Sequence, residues 1–192
     1  MLDKLLFAYL QARAKRLLSD EPQDFWHELG RVKTVLVALP NLPEETKALT
    51  RTVERIVELF GVSHVRFLSR QGQSLPKGIE ETALWEVNPN ELRFKRFPNR
   101  RLWQKIHALR ADAFVDLHME FDLPSAAMAV ASGARVRLCF AHERRDPFFN
   151  LQVRTSPELS PAKRFDRLIT LLESCRGSGD SASAKEPARV SR

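Results

Sequence analysis

The sequence predicts an α/β domain built on one mostly parallel sheet of about five strands, with helices on both faces. Three observations predict it. Strand-length runs of β-branched residues alternate with segments of helical apolar spacing. Glycine or proline stands at most junctions between them. The length, 192 residues, suits one domain with appendages.

Residues 2–18 open the chain as an amphipathic helix, with Leu2, Leu5, Leu6, Tyr9, Leu10, Leu17 and Leu18 at helical intervals. Pro22 stops it, and Phe25-Trp26 in the following linker packs back on the body. The body starts with VKTVLVAL, 32–39, an apolar run of strand length. A helix over 44–60 carries Leu49, Val53, Ile56, Val57 and Phe60 on one stripe and ends at Gly61. HVRFL, 64–68, alternates as a second strand, and 82–87 is a short third. A helix over 100–109 follows Pro98; AFVDL, 113–117, is the fourth strand. A small-residue helix over 124–132, closed by Gly133, leads to a fifth strand at 135–140. The last helix spans 161–174. Residues 1–30 are thus helix and linker, and 31–175 a Rossmann-like domain. Residues 176–192 hold no large apolar side chain except Val190 and read as a disordered tail.

Hydrophobic residues make up 43% of the chain, enough to build a core, so a wholly disordered protein is excluded. No run of about eighteen apolar residues exists to span a membrane as a helix. The amino terminus lacks a basic region followed by an apolar stretch, which predicts a cytoplasmic chain. Cys139 lies in an apolar strand as a small core residue, and Cys175 ends the last helix. No CxxC or Cys/His spacing calls for a metal, and no motif calls for a cofactor. The net charge of +7 favours anionic partners without choosing among them.

Asp116, His118, Glu120 and Asp122 alternate after the fourth strand. Asp116 and His118 fall at its carboxyl end, where open parallel sheets form their ligand crevice, and are candidate ligand-binding residues. Asp122 is placed to cap the helix that follows. Arg144 and Arg145 lie on a loop, where they either meet an anionic ligand or remain solvated. Arg93, Lys95, Arg96, Arg100, Arg101 and Lys105 form a basic patch with Phe94, Phe97 and Trp103 interleaved. Such a patch suits nucleic acid, with arginines on phosphates and aromatics under bases, or is a solvated helix face. No recognised nucleic-acid motif accompanies it. Helix 2–18 carries Lys4, Arg13, Lys15 and Arg16 beside its apolar stripe. It therefore fits an anionic membrane surface, the domain itself, or a second copy in a homodimer.

The stretch ADAFVDLHMEFDLPSAAMAVASGARVRLCF, 111–140, resembles the ADP-heptosyltransferase-like family, family nine of the glycosyltransferases. There an aspartate-ended strand, a serine- and alanine-rich helix, and a Ser-Gly-Ala turn lead into a basic strand. DPFFNLQV, 146–153, resembles the aromatic-Asn segment that follows in that family, and the resemblance runs from 31 to about 174. It implies an acceptor-binding half whose partner half would bind the nucleotide sugar, and work at the inner face of the membrane. The family's Gly-Asp turn, with its proposed general base, is replaced by Pro40-Asn41-Leu42-Pro43-Glu44-Glu45. Glu44 is the candidate substitute, although a carboxylate there also simply suits a helix start. Two functions are expected. One is a heptosyltransferase-like acceptor-binding half, degenerate or working with a protein partner, for a phosphorylated saccharide or lipid-linked acceptor in cell-envelope glycoconjugate synthesis. The other is a non-catalytic basic protein binding RNA, an anionic membrane face or another protein.

Overall fold

A computed structural model of the chain describes residues 2–18, 24–73, 75–94 and 96–183. Helices α1 (Leu2–Leu17) and α2 (Phe25–Arg31) precede strand β1 (Val35–Ala38). Then come α3 (Pro43–Ala48), α4 (Thr50–Phe60), β2 (Val65–Arg70) and β3 (Leu84–Val87). A two-stranded ribbon, β4 (Leu92–Arg93) and β5 (Phe97–Pro98), leads into α5 (Arg100–Ala108). The chain continues through β6 (Ala113–Asp116), α6 (Leu123–Ser132), β7 (Val136–Phe140), β8 (Leu151–Val153) and α7 (Pro161–Ser183).

Six strands form one sheet in the order β3-β2-β1-β6-β7-β8, and every pairing is parallel. Apart from the ribbon, this is the doubly wound order in which the chain runs outward one way from β1 and then the other way from β6. β1 and β6 pair in register, Val35 with Ala113 and Ala38 with Asp116, so their carboxyl ends finish level. The switch of direction between them opens a crevice at that edge.

Alternation along each strand makes two cores. Val35, Val37, Val65, Phe67, Val115 and Leu138 face α4 and α7, joined by Leu49, Ile56, Phe165 and Ile169. Leu36, Ala38, Leu68, Phe114 and Cys139 face α5 and α6. Helix α6 is buried along its whole length, with α1 and α5 packed on it, which explains its small residues: alanines let neighbours approach closely. Asp122 caps it, accepting from the Ser125 amide at 2.9 Å, and Gly133 ends it in the left-handed conformation at φ 64°.

Four sequence expectations are adjusted. The sheet gains a sixth strand, β8, which at three residues is too short to announce itself. The segment 25–31 is helix rather than linker, because Asp24 caps it and it lies along α7. The helix over 44–60 is two helices that meet at Leu49. The tail expected from Arg176 starts as helix: α7 continues to Ser183, with no proline to stop it and Arg176 held over the Phe60 ring. Residues 184–192 lie outside the described residues. No helix among the described residues is long and apolar enough to cross a membrane.

Candidate functional site at the switch point

Strand β6 ends at Asp116, and the next residues turn back over the edge of the sheet. Asp116 is 1% exposed. Its Oδ1 accepts from the His118 backbone N–H at 3.1 Å and meets His118 Nδ1 at 2.6 Å. On the far side of the imidazole, Nε2 meets the Asn41 side-chain nitrogen at 3.2 Å. Asn41 follows β1, so the two central strands each contribute one end of an Asp116–His118–Asn41 chain.

The tautomer follows from these neighbours. A carboxylate accepts only, so Nδ1 carries a proton, and in neutral histidine Nε2 accepts from Asn41. In the protonated ring Nε2 becomes a donor, and the Asn41 amide must turn to meet it with its oxygen. Burial opposes charge on His118, but the Asp116 carboxylate outweighs it and holds the imidazole above its ordinary pKa; Asp122 adds to this, with Oδ2 at 3.9 Å from Nε2. Burial likewise opposes charge on Asp116, and His118 and Arg145 overcome it and hold the carboxyl below its ordinary value.

Arg145 differs most from its sequence expectation. The sequence puts it on a solvated loop or against a ligand; the structure buries it completely, at 0% exposure. Its guanidinium donates to the carbonyls of Phe140 and His118, each at 2.8 Å, and of Glu120 at 2.5 Å. It stands 3.7 Å from Asp116 Oδ2. Arg145 therefore fixes the 117–120 turn and compensates Asp116 from beneath. The reason is local: the short turn 143–145, capped by the His142 side chain, points Arg144 outward and Arg145 inward.

The glutamates after β1 also divide. Glu44 is exposed, as a helix-start residue is. Glu45 is the buried one, and sequence reasoning missed it. Burial raises its pKa, partly offset by His118 and by a hydrogen bond with the Met119 backbone, which places its carboxyl by the imidazole turn. Its signal in the sequence is weak, because adjacent positions on a six-residue helix differ in direction and nothing marks which turns inward.

Around Asn41 and His118 the crevice is nearly closed. Its free volume is about 10 Å³, bounded by Ser69, Arg70, Asp122 and Met128 among others. Beside it opens a wider cleft of about 350 Å³, shared through Arg70 and Asp122, into which Arg96 and Arg144 also project. Arg70 pairs with Asp122 at 2.6 Å, and Arg144 lies over the Phe121 ring at 4.3 Å. The structure thus gathers Asp116, His118, Arg144 and Arg96 in one region. The other described residues of the basic patch lie elsewhere. Lys105 pairs with Glu91 at 2.6 Å, Arg93 and Arg100 line a separate cleft, Arg101 is exposed, and Lys95 lies outside the described residues.

The aromatic-Asn segment 146–153 has a packing role. Phe148 and Phe149 are core, and Asn150 bridges β7 by accepting from the Arg137 amide at 2.8 Å and donating to the Arg135 carbonyl at 2.7 Å. Arg137 is itself buried, its pKa lowered to about 10 by desolvation, and donates to the Phe148 carbonyl at 2.8 Å. Cys139 is buried beside them, and burial pushes its thiol up.

Fold and site together define a Rossmann-like α/β domain with a buried carboxylate–imidazole pair at its switch point. No family model, curated protein or solved structure matches the chain.

Proposed function

We propose that this domain binds the acceptor side of a heptosyltransferase-like reaction, an anionic saccharide, at the switch-point crevice. The observation that carries this reading is the Asp116–His118 pair, buried at the carboxyl ends of the two central strands. An imidazole oriented by a carboxylate through Nδ1 offers Nε2 to a sugar hydroxyl once Asn41 gives way. In the adjoining cleft Arg70 and Arg96 are paired with Asp122 and Asp3, and Arg144, with no ion pair among the described residues, is the guanidinium that suits the phosphate of such a ligand. The crevice holds about one water-sized molecule, so binding requires Asn41 and its loop to open. Loss of the family's Gly-Asp turn points to binding, degenerate or completed by a partner, rather than to transfer by this domain alone.

The test is a titration of glucose 6-phosphate, with glucose as the uncharged control, followed on the His118 ring resonances. Saturable shifts with the phosphorylated sugar, absent with glucose and weakened by Arg144→Ala, support acceptor binding. No shift for a panel of phosphorylated hexoses and heptoses overturns it.

A further inference from the structure

Helix α1 has two apolar stripes, and the fold uses one. Leu10 and Ala14 are buried against the domain, with Leu6 and Phe7 half-buried beside them. Leu2, Leu5 and Tyr9 follow at intervals of three and four on another stripe and stay outside, Leu5 at 63% exposure and Tyr9 at 53%. The tip of the β4–β5 ribbon adds Phe94, 66% exposed. Its φ of 54° is a conformation that strains a bulky L-residue and suits glycine, yet the chain keeps a ring there. Arg96 pairs with Asp3 at 2.5 Å, which ties the ribbon to the first turn of α1, and Tyr9 and Phe94 line one cleft between them.

Between helix and ribbon lies a cleft of about 510 Å³ whose lining includes Arg13, Arg93 and Arg100 and no carboxylate. Among the described residues none of the three makes an ion pair. Arg13 lies over the Trp103 ring at 3.8 Å and donates to the Tyr9 hydroxyl at 3.1 Å.

We propose that this face docks on an anionic lipid membrane: Leu2, Leu5 and Phe94 enter the boundary between headgroups and acyl chains, and the arginine cleft takes lipid phosphates. Unpaired guanidiniums alone would suit any polyanion. Exposed leucines gain nothing from a solvated phosphate chain, but gain from hydrocarbon, and that favours a bilayer over nucleic acid. The proposal does not rest on the Asp116–His118 crevice, which has its own ligand test.

The full chain is sedimented at low salt with vesicles of phosphatidylcholine and phosphatidylglycerol, and with phosphatidylcholine alone. Binding is expected to the anionic vesicles and to fall as salt rises. Phe94→Gly relieves the backbone strain, so its melting temperature should hold or rise while vesicle binding falls several-fold. Arg93→Gln with Arg100→Gln should weaken binding to the anionic vesicles on the order of tenfold or more. Absence of binding, or binding unchanged in both a folded Leu5→Ser/Phe94→Gly variant and the arginine variant, overturns the proposal. Retention on single-stranded RNA that needs Arg93 and Arg100, without vesicle binding, overturns it in favour of nucleic acid.

Discussion

Arg145 supports Asp116 from below: its guanidinium stands 3.7 Å from the buried carboxylate and donates at 2.8 Å to the carbonyl of His118, the residue that the carboxylate orients. One arginine therefore sets both the charge balance and the backbone of the crevice.

Removing it should be costly. Arg145→Met leaves His118 alone to balance Asp116 and removes the donor to three carbonyls inside the domain, and should lower unfolding free energy by about 3–5 kcal/mol in urea titrations. Asp116→Asn in the same chain should recover part of that loss, because the charge that Arg145 balances is then gone. Additive losses would show that Arg145 acts only through its carbonyl contacts.

The pair also predicts how stability varies with pH. Asp116 is held below its ordinary value of 3.8, so its contribution is present above that value and is lost as pH falls through the lower folded one. His118 is held above its ordinary 6.5, so its contribution is full below that value and is lost as pH rises through the raised folded one. The two describe one ion pair and count once. Stability from it should be greatest between the two ordinary values. Urea midpoints measured from about pH 2 to about pH 9 check this; Asp116→Asn should flatten the alkaline side.

Arg110 follows α5 at φ 48°, in the left-handed region where helices commonly end on glycine. Its side chain is exposed. Arg110→Gly should raise stability by about 0.5–1 kcal/mol, a small net gain because glycine also costs entropy. Arg110→Ala keeps a Cβ in the strained conformation and should show no such gain. Thermal melts of both variants distinguish strain from side-chain contacts.

Asn150 separates packing from ligand binding in the segment that carries part of the family resemblance. Asn150→Ala removes its bonds to the Arg137 amide and the Arg135 carbonyl, and should cost about 1–3 kcal/mol. The response to a phosphorylated sugar should survive in the folded fraction. Unchanged stability with lost sugar binding would assign Asn150 to a site instead.

The sequence by itself determined the layered architecture, the central strands and the place of Asp116 and His118. Those features are written in local periodicity: four-residue apolar runs such as Val35–Ala38, the stripe of α4, and an aspartate where β6 ends. Helix α6 and its cap were legible for the same reason, because Asp122, Pro124 and Gly133 act within one turn of where they stand. Tertiary structure decided the rest. The strand order, and hence the meeting of Asn41 with His118 across 77 positions, depends on β1 and β6 lying side by side. β8 is three half-buried residues whose strand character comes from pairing with β7. Arg144 and Arg145 are chemically identical neighbours, and Glu44 and Glu45 likewise. Which of each pair turns inward follows from the direction of one short turn and from the buried partner waiting there, and a sequence does not encode that direction in residue type.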